Sequence, residues 1–166
     1  MVGLTASAAG WFLIAALPIA FWVAWSDLRS MKIPNMAVYA LVVSYAVLGL
    51  IALPFTQYLW HWTHFVVMLA VGMILWAARA MGAGDSKFIA AAAPMVAVAD
   101  WQLMAIILSA TMLAGVAAHR IAKYSPIRKM VPEWESWDPD KGKKFPMGFP
   151  LGASLVFYLA YVFLTR

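Results

Sequence analysis

Stretches of mostly apolar residues, each long enough for a membrane helix, recur along this 166-residue chain, and that recurrence restricts its fold more than any other feature. Hydrocarbon offers no water to a backbone N–H or C=O, so a segment entering it must satisfy its own groups, and a helix does this alone. About 20 residues at about 1.5 Å each cross a core of about 30 Å. Six segments meet or approach this length: 7–25, 36–54, 62–81, 86–98, 101–118 and 149–165. The fourth, "SKFIAAAAPMVAV", is short and contains Pro94, so it is expected to tilt, kink or borrow from the glycine stretch before it. The composition agrees, with 65% hydrophobic and only 11% charged residues. The expected fold class is all-α, a polytopic membrane protein with six transmembrane helices.

Basic residues orient it. With the N-terminus outside, the cytoplasmic connections receive Arg29, Lys32, Arg79, Lys87, Arg120, Lys123, Arg128, Lys129, Lys141, Lys143 and Lys144, and the outside receives Arg166. Adding or dropping one span would invert every later loop and destroy this division. Both termini are therefore expected outside. Trp22, Trp25 and Trp76 fall at inner helix ends and Trp11, Trp60, Trp62 and Trp101 at outer ends, as interfacial anchors do.

The chain reads as a single integral-membrane domain, 1–166, with one cytoplasmic loop at about 119–148. That loop has basic flanks around an acidic, tryptophan-containing middle. Its charges suit a solvated surface, or else Glu133, Glu135, Asp138 and Asp140 help hold a basic substrate segment. The formal charge of +5 is explained by orientation in a bilayer, so no nucleic-acid partner is expected. Zero cysteines exclude thiolate metal sites and cysteine nucleophiles. His61 and His64 are spaced for one helix face but lack a third ligand, so they read as interfacial polar residues, and neither metal nor cofactor is expected. "MVGLTASAAG" lacks the basic start of a cleavable signal.

Three acids lie outside the loop. Asp100, in the short outer connection "ADWQ", reads as an exposed turn residue or helix cap. Asp27 closes the first span in "FWVAWSDLRSMKIPN", and Asp85 opens the fourth in "MGAGDSKF". Both fall at the cytoplasmic boundary, where acids from different helices can meet. A plainer reading makes each a helix-end residue, Asp27 paired with Arg29 and Asp85 capping its helix beside Lys87. Gly82 and Gly84 favour the first reading: they permit positive φ or close approach of another chain just before Asp85. Pro34 extends Ile33, and Asn35 is placed to cap the second helix. Two carboxylates sharing a site repel, so one stays protonated while the other is ionised. Such a pair can activate water against a peptide carbonyl and protonate the carbonyl oxygen. Intramembrane acids also carry ions in small proton- or ion-coupled transporters, the alternative class.

"GAGDSK" (82–87) resembles the G-x-G-D signature of intramembrane aspartyl proteases. Joined to "DLRSMKIPN" (27–35), it resembles the type IV prepilin peptidase branch, and "FPMGFPLGAS" (145–154) is similar to the entry of that family's last helix. The resemblance implies that Asp27 and Asp85 are the catalytic pair of an aspartic endopeptidase, that Gly82 and Gly84 shape the loop bearing the second, and that Lys87, Pro34 and Asn35 belong to the motifs. It implies a prepilin or pseudopilin partner whose short basic leader is removed at the cytoplasmic face of the bacterial inner membrane. The chain lacks the extra N-terminal region and cysteine pairs that accompany methyltransferase activity in long members. It is similar to the short, peptidase-only forms of tight-adherence (Flp) pilus systems.

Overall fold

The structure, a computed structural model, describes residues 3–137 and 145–166. The described residues are helical with no strand. Long helices α1 (Ala6–Ser30), α2 (Asn35–Ala52) and α3 (Phe55–Ala77) precede a short α4 (Ala83–Ala92). Then come α5 (Trp101–Tyr124), a single-turn α6 (Ile127–Met130) and α7 (Gly148–Thr165). Five stretches are long and apolar enough to cross a membrane: Ala6–Ser30, Asn35–Ala52, Phe55–Ala77, Val98–Tyr124 and Gly148–Thr165.

The bundle is organised around α1 and α7, which pack more extensively than any other pair. Phe12, Ala16, Ile19, Val23 and Asp27 recur at spacings of three and four along α1 and form one buried stripe. Leu151, Leu155, Leu159 and Val162 do the same on α7. Small residues let the backbones approach: a Cβ at Gly152 would lie 3.1 Å from the Ala20 carbonyl oxygen. The α2–α3 hairpin is locked by aromatics. Tyr45 stacks on Tyr58 with centroids 5.5 Å apart, and its hydroxyl donates to the Tyr58 carbonyl at 2.9 Å. Trp62, expected as an interfacial anchor, meets Tyr45 edge-on at 5.1 Å and joins this cluster.

The fourth segment departs from a regular span. Pro94 denies α4 a backbone donor, and the helix gives way to 3-10 turns at Ala93–Met95 and Val98–Asp100. Ten helical residues advance only about 15 Å at about 1.5 Å each. Yet the segment runs the length of the bundle, starting near the Asp27 end of α1 and finishing where Asp100 bonds Leu4 at the other end. Buried and half-buried side chains satisfy the irregular backbone that makes this possible. His61 Nδ1 contacts the Pro94 carbonyl at 2.8 Å, His64 Nδ1 the Val96 carbonyl at 3.1 Å, and the Ala97 N–H donates to the Tyr158 hydroxyl at 3.3 Å. The histidines are thus internal braces rather than interfacial polar residues, and their rings stack at 4.8 Å.

Asp100 is also not the exposed turn residue expected of it. It is 5% exposed and makes no side-chain cap bond to α5. Its carboxylate accepts from Arg166 at 2.5 and 3.0 Å, from the Tyr158 hydroxyl at 2.9 Å and from the Leu4 N–H at 3.1 Å. The sequence neighbourhood suggested an isolated connection, but the tertiary fold brings the start of α1 and the end of α7 onto it.

Candidate active site

Asp27 is buried because it continues the core stripe of α1 into that helix's last turn, where it is 5% exposed. The Gly148 N–H, at the start of α7, donates to its Oδ2 at 2.6 Å. The expected partner Arg29 is exposed, and among the described residues it forms no ion pair with Asp27. The Asp27 carbonyl accepts from the Met31 N–H at 2.9 Å while Met31 turns left-handed at φ 52°, ending α1. Ser26 Oγ donates to the Lys32 carbonyl at 3.0 Å and fixes the turn that follows.

Asp85 is half-buried in the first turn of α4, three residues after the N-cap Gly82. The Gly82 amide faces its carboxylate, as an acid at this position commonly reaches back to the cap. The helix-end expectation for Asp85 is therefore realised without setting it apart from Asp27. Ser86 donates to the Gly82 carbonyl from both N–H and Oγ, at 3.1 and 3.0 Å, and tightens the turn.

No described glycine has positive φ; Gly82 sits at φ −69°, ψ 148°. Of the two expected uses of the glycines, only close approach is observed. A Cβ at Gly84 would lie 3.2 Å from Ile33 Cβ, and one at Gly82 2.6 Å from Asp85 Oδ2. The left-handed turns nearby belong to Met31 and to Arg79, at φ 58° after α3. Behind Arg79 the Ala80 N–H reaches the Leu75 carbonyl and the Arg79 N–H the Trp76 carbonyl, both at 2.9 Å, stopping α3 sharply before the glycines.

The two motifs interlock. Ile33 packs on Gly84, and Lys87 Nζ donates to Asn35 Oδ1 at 3.3 Å. Asn35 is not the cap expected of it: Pro34 holds that position at φ −65°, ψ 133°, and Asn35 is the first residue of α2. From the opposite side α3 meets the same turn, since a Cβ at Gly72 would come within 2.9 Å of Ser86 Cβ. Asp27 and Asp85 are thereby brought to the same end of the bundle, within electrostatic range of each other. Neither has a lysine or arginine ion-pair partner among the described residues.

An aromatic chain that sequence reading missed covers this end. Trp25 meets Trp134 edge-on at 5.4 Å, Trp134 stacks on Trp137 at 5.7 Å, and Trp137 stacks on His119 at 4.9 Å. His119 meets Phe145 at 5.8 Å, joining α1, the loop, α5 and the entry to α7. The three-residue separation of Trp134 and Trp137 was its signal. Glu133 is exposed and Glu135 opens the 3-10 turn Glu135–Trp137 in this loop. Asp138 and Asp140 lie outside the described residues. No group of three or more candidate metal ligands occurs among the described residues.

The fold and this site define a multi-pass membrane protein with two acids from separate helices gathered at one end of its bundle. Residues 11–119, more than half of the chain, match the model of the type IV leader peptidase family. The chain belongs to that family, and membership makes it a peptidase of the prepilin-leader type. No curated protein and no solved structure gives a significant match. The matched residues include Asp27 and Asp85 but end before α7.

Proposed function

We propose that the chain is an aspartic endopeptidase that removes the short basic leader from prepilin or pseudopilin precursors. The observation that carries this reading is the placement of Asp27 and Asp85 at one end of the bundle, with no lysine or arginine ion-pair partner among the described residues, in a chain of the leader peptidase family. Both acids lie within the matched residues, and the interlocked motifs give each a fixed position. In this reading a water sits between the carboxylates. The ionised one takes a proton from the water as its oxygen attacks the scissile carbonyl, and the protonated one donates to the carbonyl oxygen. Collapse of the resulting diol breaks the C–N bond, and the leaving nitrogen receives a proton from the pair. Which aspartate starts protonated belongs to the coupled pair.

The basic-residue division supports six spans, with the segment from Asp85 to Asp100 completing the fourth crossing and both termini outside. The site then faces the cytoplasm of the bacterial inner membrane. There the substrate's basic leader lies along the surface while its apolar helix stays in the bilayer, and Glu133 is placed on the loop to meet the leader. With no cysteine in the chain, we assign it to the short, peptidase-only form without methyltransferase activity. The family match favours this reading over ion transport.

Coexpression with a precursor carrying a lysine-rich leader that ends in glycine, followed by an apolar helix, tests the proposal. The wild-type chain yields a leader-sized mobility shift. Asp27→Asn and Asp85→Asn each abolish it with expression and membrane insertion near normal; undiminished cleavage by either variant refutes the assigned pair.

A further inference from the structure

The two carboxylates are held unequally. The Asp85 carboxylate lies against Gly82 of its own helical turn, whereas the carboxylate of Asp27 takes its 2.6 Å hydrogen bond from Gly148, 121 residues away on another helix. Any side chain at 148 would press on that carboxylate: its Cβ would lie 3.0 Å from Asp27 Oδ2 and Cβ and 3.1 Å from Cγ. The bond is enclosed, since Gly148 and Asp27 are both buried. It is also aimed, because a donor among the first residues of a helix has no partner of its own within that helix.

We propose that Gly148 is a positioning residue of the hydrolytic site: its N–H fixes the rotamer of Asp27, and its missing side chain leaves the carboxylate room to face Asp85. This rests on the reading of Asp27 and Asp85 as the catalytic pair, and it adds an element beyond the residues matched to the family. The last helix is then part of the site as well as its scaffold. Pro146 and Pro150 flank Gly148. Both are buried, and proline at these positions ends the preceding chain and starts α7 without wasting a donor.

Gly152 supplies a matched control. It lies one turn further along the same helix face, and a Cβ there would meet Ala20 of the same partner helix at 3.1 Å without touching an acid. The full-length wild-type chain, Gly148→Ala and Gly152→Ala are compared in detergent micelles with the lysine-rich precursor described above, alongside Asp27→Asn. Gly148→Ala is expected to lower kcat roughly 100-fold at nearly unchanged KM, as for a catalytic group displaced by about 1 Å. Gly152→Ala is expected to lower thermal stability at least as much and keep most of kcat. The chain has ten glycines, so selective 15N-glycine labelling gives a short list of amide signals, and the one lost in Gly148→Ala is Gly148. That amide proton is expected far downfield and protected from exchange in the wild type, and to move upfield in Asp27→Asn.

An unmoved Gly148 signal in Asp27→Asn overturns the inference, as do parallel losses of kcat and stability in the two alanine variants. Undiminished cleavage by Asp27→Asn instead overturns the catalytic pair. The amide signal reads the hydrogen bond whether or not the chosen precursor is cut.

Discussion

The two ends of this bundle treat a buried carboxylate in opposite ways. At one end Asp100 receives Arg166, the Tyr158 hydroxyl and the Leu4 N–H, so its charge is neutralised and its acceptor positions are filled. At the other, Asp27 receives one backbone N–H among the described residues and lies within electrostatic range of another acid. A carboxylate with a guanidinium and further donors around it has nothing left to exchange, so it serves as a strut. A carboxylate short of partners beside a second one keeps capacity for a proton and a water. Burial alone does not separate them, because Asp27 and Asp100 are both 5% exposed.

The largest test of that contrast is to neutralise each acid in turn. Asp27→Asn or Asp85→Asn should cost at least about 10²- to 10⁴-fold in precursor cleavage, the range of a lost general acid or base, with little change in melting temperature. Asp100→Asn should do the reverse. Breaking the clamp by Arg166→Ala is expected to cost roughly 1–3 kcal/mol, because Asp100 keeps its Tyr158 and Leu4 donors while losing its cation. Thermal unfolding and cleavage, measured on the same preparations, check both halves. If Arg166→Ala abolished cleavage without loss of stability, the division into strut and reactive pair would be wrong.

Much of the reactive end was legible in the sequence and little of the strut was. Asp27 could be placed because it closes the first apolar span on the side that receives the basic residues, and Asp85 because two glycines precede it at the start of the fourth. Neither inference needs contacts distant in the chain. Asp100 was misread because every one of its partners comes from an end of the chain, at Leu4, Tyr158 and Arg166, and local pattern carries no trace of such closure. The same limit hid His61 and His64. Their work is to satisfy carbonyls that Pro94 and its irregular successors leave free, and that needs the path of the fourth segment. The glycines were read correctly as spacers and wrongly as candidates for positive φ, since the left-handed turns went to Met31 and Arg79.

Between the two extremes lies the spacing of the motifs. Gly84→Ala sets a methyl 3.2 Å from Ile33 Cβ, so one segment must retreat by a few tenths of an ångström. A fraction of the displacement that costs about 100-fold should lower cleavage roughly tenfold, chiefly in kcat. Wild-type kcat in Gly84→Ala would mean that the fit of Ile33 on this turn does not set the distance between the acids.

The smallest expected effect sharpens the same point. Lys87 and Asn35 are both exposed, and their 3.3 Å bond joins the segment after Asp27 to the helix carrying Asp85. An exposed hydrogen bond competes with water, so Lys87→Ala should change stability by less than about 1 kcal/mol. Its effect on cleavage depends on what positions α4. If Ile33, Gly84, Gly72 and Ser86 fix the turn by packing, loss of the bond lowers kcat only a few-fold, and Asn35→Ala lowers it equally, with no further loss in the double variant. Additive losses would give Lys87 a role of its own, such as contact with the precursor, because a bond shared by two residues can be removed only once.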